Sequence, residues 1–141
     1  MEHTFHYMLM AEQAMIQKAL LSRMKGSGLT IGQPKVLDYL QYHNGASQKE
    51  IAKGCHIEAG SLTSILNRME EKGLVERKML HGNRRTYYIF LTEKGQTVLK
   101  TLTETFSSLE AEAFHNISES DRATFMRIFS CIYHNLASKE D

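Results

Sequence analysis

The feature that most constrains the fold is a change of sequence period between residues 59 and 91. Apolar residues first recur every three or four positions, which is the spacing of one buried helix face. They are Leu62, Ile65, Leu66 and Met69. After Gly73 the pattern changes, because residues 74–80 and 85–91 are rich in Val, Tyr, Ile and Phe, the residue types of strands. Residues 81–84 supply a polar turn, so this segment predicts a helix followed by a hairpin with a basic tip.

Three further helices are predicted before this segment. Apolar spacing indicates a first helix over about residues 3–24. Thr30 with Gln33 has the pattern of a capping box, so a second helix is expected to begin near residue 31. Ser47 with Glu50 is a stronger box of the same kind and predicts a short third helix. Three helices, a fourth helix and a hairpin are the parts of a winged helix-turn-helix.

Two long helices follow the hairpin. Thr92 is the expected N-cap of a helix over about residues 93–115, and Ser118 marks the start of a last helix over about residues 119–138. The terminal helices carry more apolar surface than so small a core can use. Pairing them with the same helices of a second copy would bury that surface, so the chain is expected to form a homodimer.

The length of 141 residues favours a single domain, residues 1–141. Its predicted fold class is mainly α with a small β-hairpin wing. The winged helix-turn-helix lobe is expected to occupy residues 30–92. Residues 1–25 and 93–141 are expected to supply the dimerisation helices.

Charge is distributed unevenly although the net formal charge is only +1. From residue 47 to residue 86 there are eight Lys/Arg against five Glu, a local charge of +3. From residue 92 onward there are five Lys/Arg against eight Asp/Glu, a local charge of −3. A basic middle and an acidic end fit a centre that faces phosphate, although scattered surface charge would give the same counts.

Several function classes find no support in the sequence. No apolar run approaches the roughly 20 residues that span a bilayer, no signal peptide is indicated, and the chain is expected to be cytoplasmic, at the nucleoid. Cys55 and Cys131 have no CxxC spacing, so no disulfide framework is expected. Cys55 follows Gly54 between two short helices and Cys131 lies beside Ile132, so both are expected to be buried thiols. The histidines form no i, i+4 ligand pair, and no catalytic or phosphate-binding motif occurs. We therefore expect no metal, no cofactor and no enzymatic activity.

The fourth helix is the candidate for reading DNA bases. Its apolar stripe leaves polar residues on the other faces, and residues near a recognition helix N-terminus contact bases. Ser and Thr can bond either base type, Asn can pair with adenine, and Arg can pair with guanine or phosphate. The predicted contact residues are Gly60, Ser61, Thr63, Ser64, Asn67 and Arg68. An ordinary amphipathic helix would show the same pattern, and the hairpin that follows favours DNA.

The hairpin tip is the second candidate contact. Asn83, Arg84 and Arg85 form the predicted wing site, where arginines can enter a narrow minor groove or bind flanking phosphates. A solvated charged turn is the alternative interpretation. Arg77 and Lys78 could add phosphate contacts, and one of them is expected to brace the hairpin instead.

The chain resembles the MarR (multiple antibiotic resistance regulator) family. The resemblance covers nearly the whole chain and is most specific from residue 62 to residue 95, SLTSILNRMEEKGLVER followed by RRTYYIFLTEKG. It implies a dimeric regulator of transcription that binds a pseudo-palindromic double-stranded DNA operator. The family's wing usually carries Asp-x-Arg, whereas this chain has Asn83, Arg84 and Arg85 at those positions, so the charge of that Asp is absent.

The resemblance also implies an effector. Many relatives release DNA when a small aromatic or anionic molecule binds between the dimer helices and the DNA-binding lobe. The matching candidates here are His6, Tyr7, Tyr39 and Phe106, which could equally be core and interface residues. The expected function is a repressor released by such an effector. The alternative is a winged-helix module for protein–protein contact, or an anti-activator, with weak DNA binding.

Overall fold

The computed structural model describes residues 3–80, 82 and 84–139, and within them it has the predicted class, a mainly α fold with one hairpin. The chain divides into two compact units, residues 1–109 and 110–141. The elements are α1 (Phe5–Arg23), a 3-10 turn (Lys25–Ser27), α2 (Gln33–Tyr42), α3 (Gln48–Cys55), α4 (Ala59–Glu71), β1 (Val75–Lys78), β2 (Tyr88–Leu91), α5 (Glu93–Ala113) and α6 (Glu119–Ala137).

The core of the first unit is built where the sequence places its apolar stripes. The predicted face of α4 is buried except for Ile65, which is half-buried. One cluster joins it to apolar residues of α2, α3, both strands and α5. The fully buried members include Val36, Leu37, Leu40, Ile51, Leu62, Leu66, Met69, Ile89 and Leu102. Burial of several such side chains, each contributing about 1.5–3 kcal/mol, holds the helices and the strands as one body.

Three predicted helix starts are confirmed by their caps. Ser47 Oγ accepts from the Glu50 N–H at 3.1 Å, and Glu50 Oε1 accepts from the Ser47 N–H at 3.0 Å, which completes the capping box of α3. Thr92 Oγ1 accepts from the N–H three residues later at 3.0 Å. Ser118 Oγ does the same at the start of α6, also at 3.0 Å. In each case a short-range sequence pattern was enough, because the cap satisfies backbone groups that the helix itself leaves unpaired.

The start predicted for α2 is wrong by about two residues. Its N-cap is Gly32, not Thr30, and Gly32 has a left-handed φ of 91°. The Thr30 N–H does bond Gln33 Oε1 at 3.2 Å, but this bond closes a turn in front of the helix. A Cβ at position 32 would lie 2.5 Å from Cδ1 of Ile65. The close approach of α4 therefore requires a glycine here, and its left-handed backbone sets the helix start.

The hairpin is shorter than its β-rich sequence predicts. The two strands pair antiparallel from Val75 opposite Leu91 to Lys78 opposite Tyr88, so the ladder spans four residues on each side. A second edge supports β2, because residues 45–48 bond it through Gly45 N–H to Ile89 O and Ile89 N–H to Ala46 O, at 2.8 and 2.9 Å. Met79 and Tyr87, the residues next to the end of the ladder, are both exposed, so little burial favours further pairing at this point.

The start of α5 lies directly against the start of the hairpin. Gly95 is buried, and a Cβ at this position would overlap the carbonyl of Leu74. Thr92 Oγ1 also donates to Gly73 O at 2.5 Å. The buried stripe of α5 then runs along the core through Leu99 and Leu102, as its spacing predicts. Residues 91–95, Leu-Thr-x-x-Gly, thus join the hairpin to α5, and the backbone of Gly95 packs directly on the backbone of Leu74.

The second unit is held by ring contacts. Phe125 stacks on Phe129 with centroids 5.1 Å apart and meets Phe114 edge-on at 5.9 Å. The Arg122 guanidinium lies 4.3 Å from the Phe114 centroid and 3.7 Å from a carboxylate oxygen of Glu110. The apolar stripe of α6 is otherwise exposed to solvent: Ile128 is 47% exposed and Leu136 is 58% exposed.

The two cysteines differ, which corrects one expectation. Both are free thiols, and Cys55 is buried as predicted, but Cys131 is exposed. The stripe of α6 contains Phe125, Phe129 and Leu136, at spacings of four and seven residues. Cys131 lies six positions after Phe125, which places it about 120° from that residue around the helix and away from the stripe. Its neighbour Ile132 is on the stripe, but no residue of α6 is buried in the single chain, so a position beside Ile132 does not bury a thiol.

Candidate nucleic-acid interface

The outer face of α4 is polar and open. All six residues predicted to contact DNA on this helix are exposed. Gly60, Ser64 and Asn67 follow one another at spacings of four and three, so they line the side opposite the buried stripe. A helix of this diameter with short polar side chains on its outer face fits a major groove.

Thr63 has its hydroxyl engaged within the protein. It donates to Ala59 O at 3.0 Å and accepts from the Gln48 side-chain amide at 2.8 Å. Gln48 is the first residue of α3, so this bond fixes the start of α3 against the second turn of α4. The Thr63 hydroxyl is therefore already engaged on both its donor and an acceptor side, and Gln48 is a polar neighbour that the sequence did not indicate.

Lys72 contributes to the basic count but is tied to the protein. Its Nζ donates to Gly28 O at 2.5 Å and to Gln33 Oε1 at 3.0 Å. Lys94 in turn donates to Lys72 O at 2.6 Å. These bonds fasten the end of α4 to the segment before α2, and they satisfy carbonyls near a helix C-terminus where a cation is favourable.

Arg77 and Lys78 are neighbours on β1 with different contacts. Arg77 is half-buried, its Nη2 donates to Thr63 O at 3.4 Å, and its guanidinium lies 5.9 Å from the Tyr87 centroid. Lys78 is exposed and lies 3.8 Å from Glu76 Oε2. Of the two residues, Arg77 is therefore the one that braces the hairpin against α4.

The tip of the wing carries its arginines outward. Arg84 and Arg85 are both exposed, as a contact with DNA requires. Asn83, the third residue of the predicted wing site, lies outside the described residues. Its role stays a prediction.

The four residues proposed for an effector site have different surroundings. Tyr39 stacks on His43 with centroids 4.3 Å apart, and its ring occupies the space where a side chain at Gly54 would lie. Tyr7 is exposed and its ring lies 5.7 Å from that of His3, His6 is exposed, and Phe106 packs against the core. Burial, followed by the charge of Glu50, raises the pKa of Tyr39, so its hydroxyl stays protonated at neutral pH. An effector role for the four remains a prediction.

Three further features of the described residues are the reactivity of the buried thiol, the grouping of metal-ligand side chains and the hydropathy of the helices. Burial raises the pKa of Cys55 to about 11, which makes it a poor nucleophile. Among residues 3–80, 82 and 84–139, no three His, Cys, Asp or Glu side chains are grouped so that they could hold a metal ion. No helix in that part of the chain is both long and apolar enough to cross a bilayer.

Comparison with known proteins confirms the resemblance stated from the sequence. The model of the MarR family matches residues 29–87. MepR of S. aureus, solved as a DNA complex, superposes with a TM-score of 0.86 at 22% identity, over 96% of this chain and 99% of that chain. MarR superposes at 0.88 and 21% identity, over 98% and 94% of the two chains. The transcriptional repressor CouR, bound to a 23-mer DNA duplex, superposes at 0.82 and 24% identity, over 92% of each chain.

Proposed function

Because residues 29–87 match the MarR family and the fold is that of MarR-type proteins, we propose that this chain is a DNA-binding transcription regulator. Its operator is double-stranded and pseudo-palindromic. The observation that carries the proposal is the exposed polar face of α4 beside a braced hairpin whose tip presents Arg84 and Arg85. Crystallised DNA complexes of MepR and CouR, which share the fold, support it.

We further propose that the active form is a homodimer. The apolar stripe of α6 and much of α1 are exposed in the single chain, and Met10 and Met15 are 69% and 66% exposed. Soluble monomers rarely leave contiguous apolar patches of this kind uncovered. A two-fold axis would also place two copies of α4 at matching positions on a palindromic site.

The direction of regulation and its control are the finer part of the proposal. We propose a repressor that acts at the nucleoid, in the cytoplasm, and is released by a small aromatic or anionic effector near His6, Tyr7, Tyr39 and Phe106. CouR, with the same fold, is a transcriptional repressor, which favours this direction. Salicylate and benzoate, tested for release of bound DNA, are suitable first probes.

Direct titration tests DNA binding. Fluorescence anisotropy with the duplex upstream of the chain's own gene should give nanomolar binding that weakens steeply with salt, because each neutralised phosphate releases counterions. A scrambled duplex of equal length should bind much more weakly. Micromolar binding that ignores sequence would favour the alternative, a winged-helix module for protein–protein contact.

The first prediction concerns the wing tip. Arg85→Ala should weaken operator binding by about tenfold, with folding unchanged, because one groove or phosphate contact is lost. Lys100→Ala removes the same charge from an exposed position on α5 and should have little effect. Anisotropy titrations measure the operator affinity of both variants and the parent, and circular dichroism checks that each variant is folded. Unchanged affinity of Arg85→Ala would mean that the wing does not contact DNA.

A further inference from the structure

Arg77 contacts both α4 and the other side of the hairpin from a single position on β1. Its backbone N–H donates to Glu70 Oε2 on α4 at 3.3 Å, and its Nη2 donates to Thr63 O, two turns earlier on the same helix, at 3.4 Å. On its other side the guanidinium lies 5.9 Å from the ring of Tyr87, the residue before β2. One side chain thus bridges the recognition helix and both sides of the hairpin.

The opposite edge of the hairpin is fixed independently. Tyr87 O accepts from the Gln48 N–H at 3.0 Å, and Ser47 forms an isolated bridge with Tyr88. The Leu91 N–H bonds Asn44 Oδ1 at 2.8 Å. The root of the wing is therefore pinned along β2 by the start of α3, and along β1 by Arg77.

We propose that Arg77 is a positioning residue that sets the wing at a fixed angle to the recognition helix. This inference rests on the proposed DNA-binding function and adds to it a residue that acts through others. The Arg77 bridge at the root is one brace of the wing that the described residues supply.

The chemistry of the bridge requires arginine. A guanidinium is planar, so it can lie over the Tyr87 ring while an edge N–H points at the Thr63 carbonyl. Its Nε is buried and has no acceptor within the described part of the chain, so the planar group is held by packing as well as by hydrogen bonds. A lysine keeps the charge and can donate, but it lacks the flat face and the fixed N–H directions of the guanidinium.

The competing explanation is that Arg77 binds a DNA phosphate directly. The two roles differ in how they combine with the wing tip. A phosphate contact would add independently to the contribution of Arg84, whereas a brace is needed for Arg84 to reach its target at all. A double-mutant cycle measures this coupling.

The variants are Arg77→Met, Arg77→Lys and the control Lys78→Met, each alone and combined with Arg84→Ala. Lys78 is next in sequence and carries the same charge, and its contacts, Glu76 at 3.8 Å and the Phe90 ring at 5.0 Å, lie within the hairpin and do not reach α4. Circular dichroism establishes that each protein is folded. Should Arg77→Met fail to fold, Arg77→Lys and Tyr87→Leu, which removes only the ring, carry the test.

Operator affinity is the first readout. In the parent and in Lys78→Met, Arg84→Ala should weaken binding by about tenfold. In the Arg77 variants the same substitution should weaken it by less than about threefold, because the tip is no longer positioned. If the losses of affinity from the Arg77 and Arg84 substitutions simply add, Arg77 acts independently of the tip. Additive losses, together with a slope of log affinity against log salt concentration that is smaller by about one in Arg77→Met, would identify a phosphate contact and overturn the proposal.

The second readout needs no DNA. Backbone order parameters from ¹⁵N relaxation at residues 82 and 84–88 should fall towards about 0.6 in Arg77→Met and stay near the parent value in Lys78→Met. Unchanged order parameters in the Arg77 variants would overturn the positioning role even if affinity falls. If the parent protein binds no DNA, the proposed function fails while this measurement still decides the brace.

Discussion

At the scale of single residues, contacts decide what a side chain is available to do. Thr63 and Lys72 look alike in sequence to their exposed neighbours, yet the Thr63 hydroxyl bonds Gln48 and Lys72 bonds Gly28. No local pattern could predict either pairing, because the partners are 15 and 44 residues apart in the chain. Residue types indicated which helix is the candidate for DNA contact, but not which of its polar groups are already occupied within the protein.

Thiol reactivity is a residue-scale prediction. In a Cys131→Ser variant, Cys55 should react with Ellman's reagent at pH 8 about 100-fold more slowly than an ordinary thiol, because a pKa of about 11 leaves little thiolate and burial blocks access. Cys55→Ser, which keeps the exposed Cys131, should react rapidly. Denaturing Cys131→Ser in urea should restore fast labelling. Equal rates in the two folded variants would contradict the buried position of Cys55.

At the scale of elements, short-range signals predicted well and long-range packing did not. The α3 cap follows from Ser47 and Glu50 alone, since both partners lie within four residues. The start of α2 could not be predicted in this way, because Ile65 of α4 dictates the glycine at position 32. The strands are likewise shorter than their composition suggests, because Met79 and Tyr87, which would extend the ladder, are exposed and gain little from pairing.

The α3 cap gives an element-scale prediction with a pH sign. Hydrogen bonds from Ser47, the backbone N–H first, lower the pKa of Glu50 in the folded protein. The stabilising effect is therefore complete above the unfolded pKa, about 4.3, and is lost as pH falls through the lower folded value. Glu50→Gln should therefore have a lower melting temperature than the parent at pH 7. This difference in melting temperature should become smaller as the pH is reduced to 3.

Thermal melts followed by circular dichroism at both pH values provide this measurement. Glu71→Gln, which changes an exposed carboxylate at the C-terminal end of α4, is the matched control, and its difference in melting temperature from the parent should not narrow between pH 7 and pH 3. A gap between Glu50→Gln and the parent that is the same at pH 3 and pH 7 would show that the charge of Glu50 does not strengthen the cap.

At the scale of the whole molecule, the single chain leaves its α6 stripe uncovered. Leu136→Glu places a charge on that stripe and should raise the dimer dissociation constant by tenfold or more, because burying an unpaired carboxylate in an apolar interface costs several kcal/mol. Ser130→Glu adds the same charge away from the stripe and should leave association unchanged. Sedimentation velocity over a dilution series measures both. A Leu136→Glu protein that remains as dimeric as the parent would place the interface elsewhere.

The contact of Gly95 with the Leu74 carbonyl has a mechanical consequence. Side chains between two elements can change rotamer and absorb small movements, but here nothing lies between the first turn of α5 and the residue that leads into β1. A displacement of α5 at this point would therefore be passed on to the hairpin without damping. Any event that tilts the first turn of this long helix would therefore also move the residue that leads into β1.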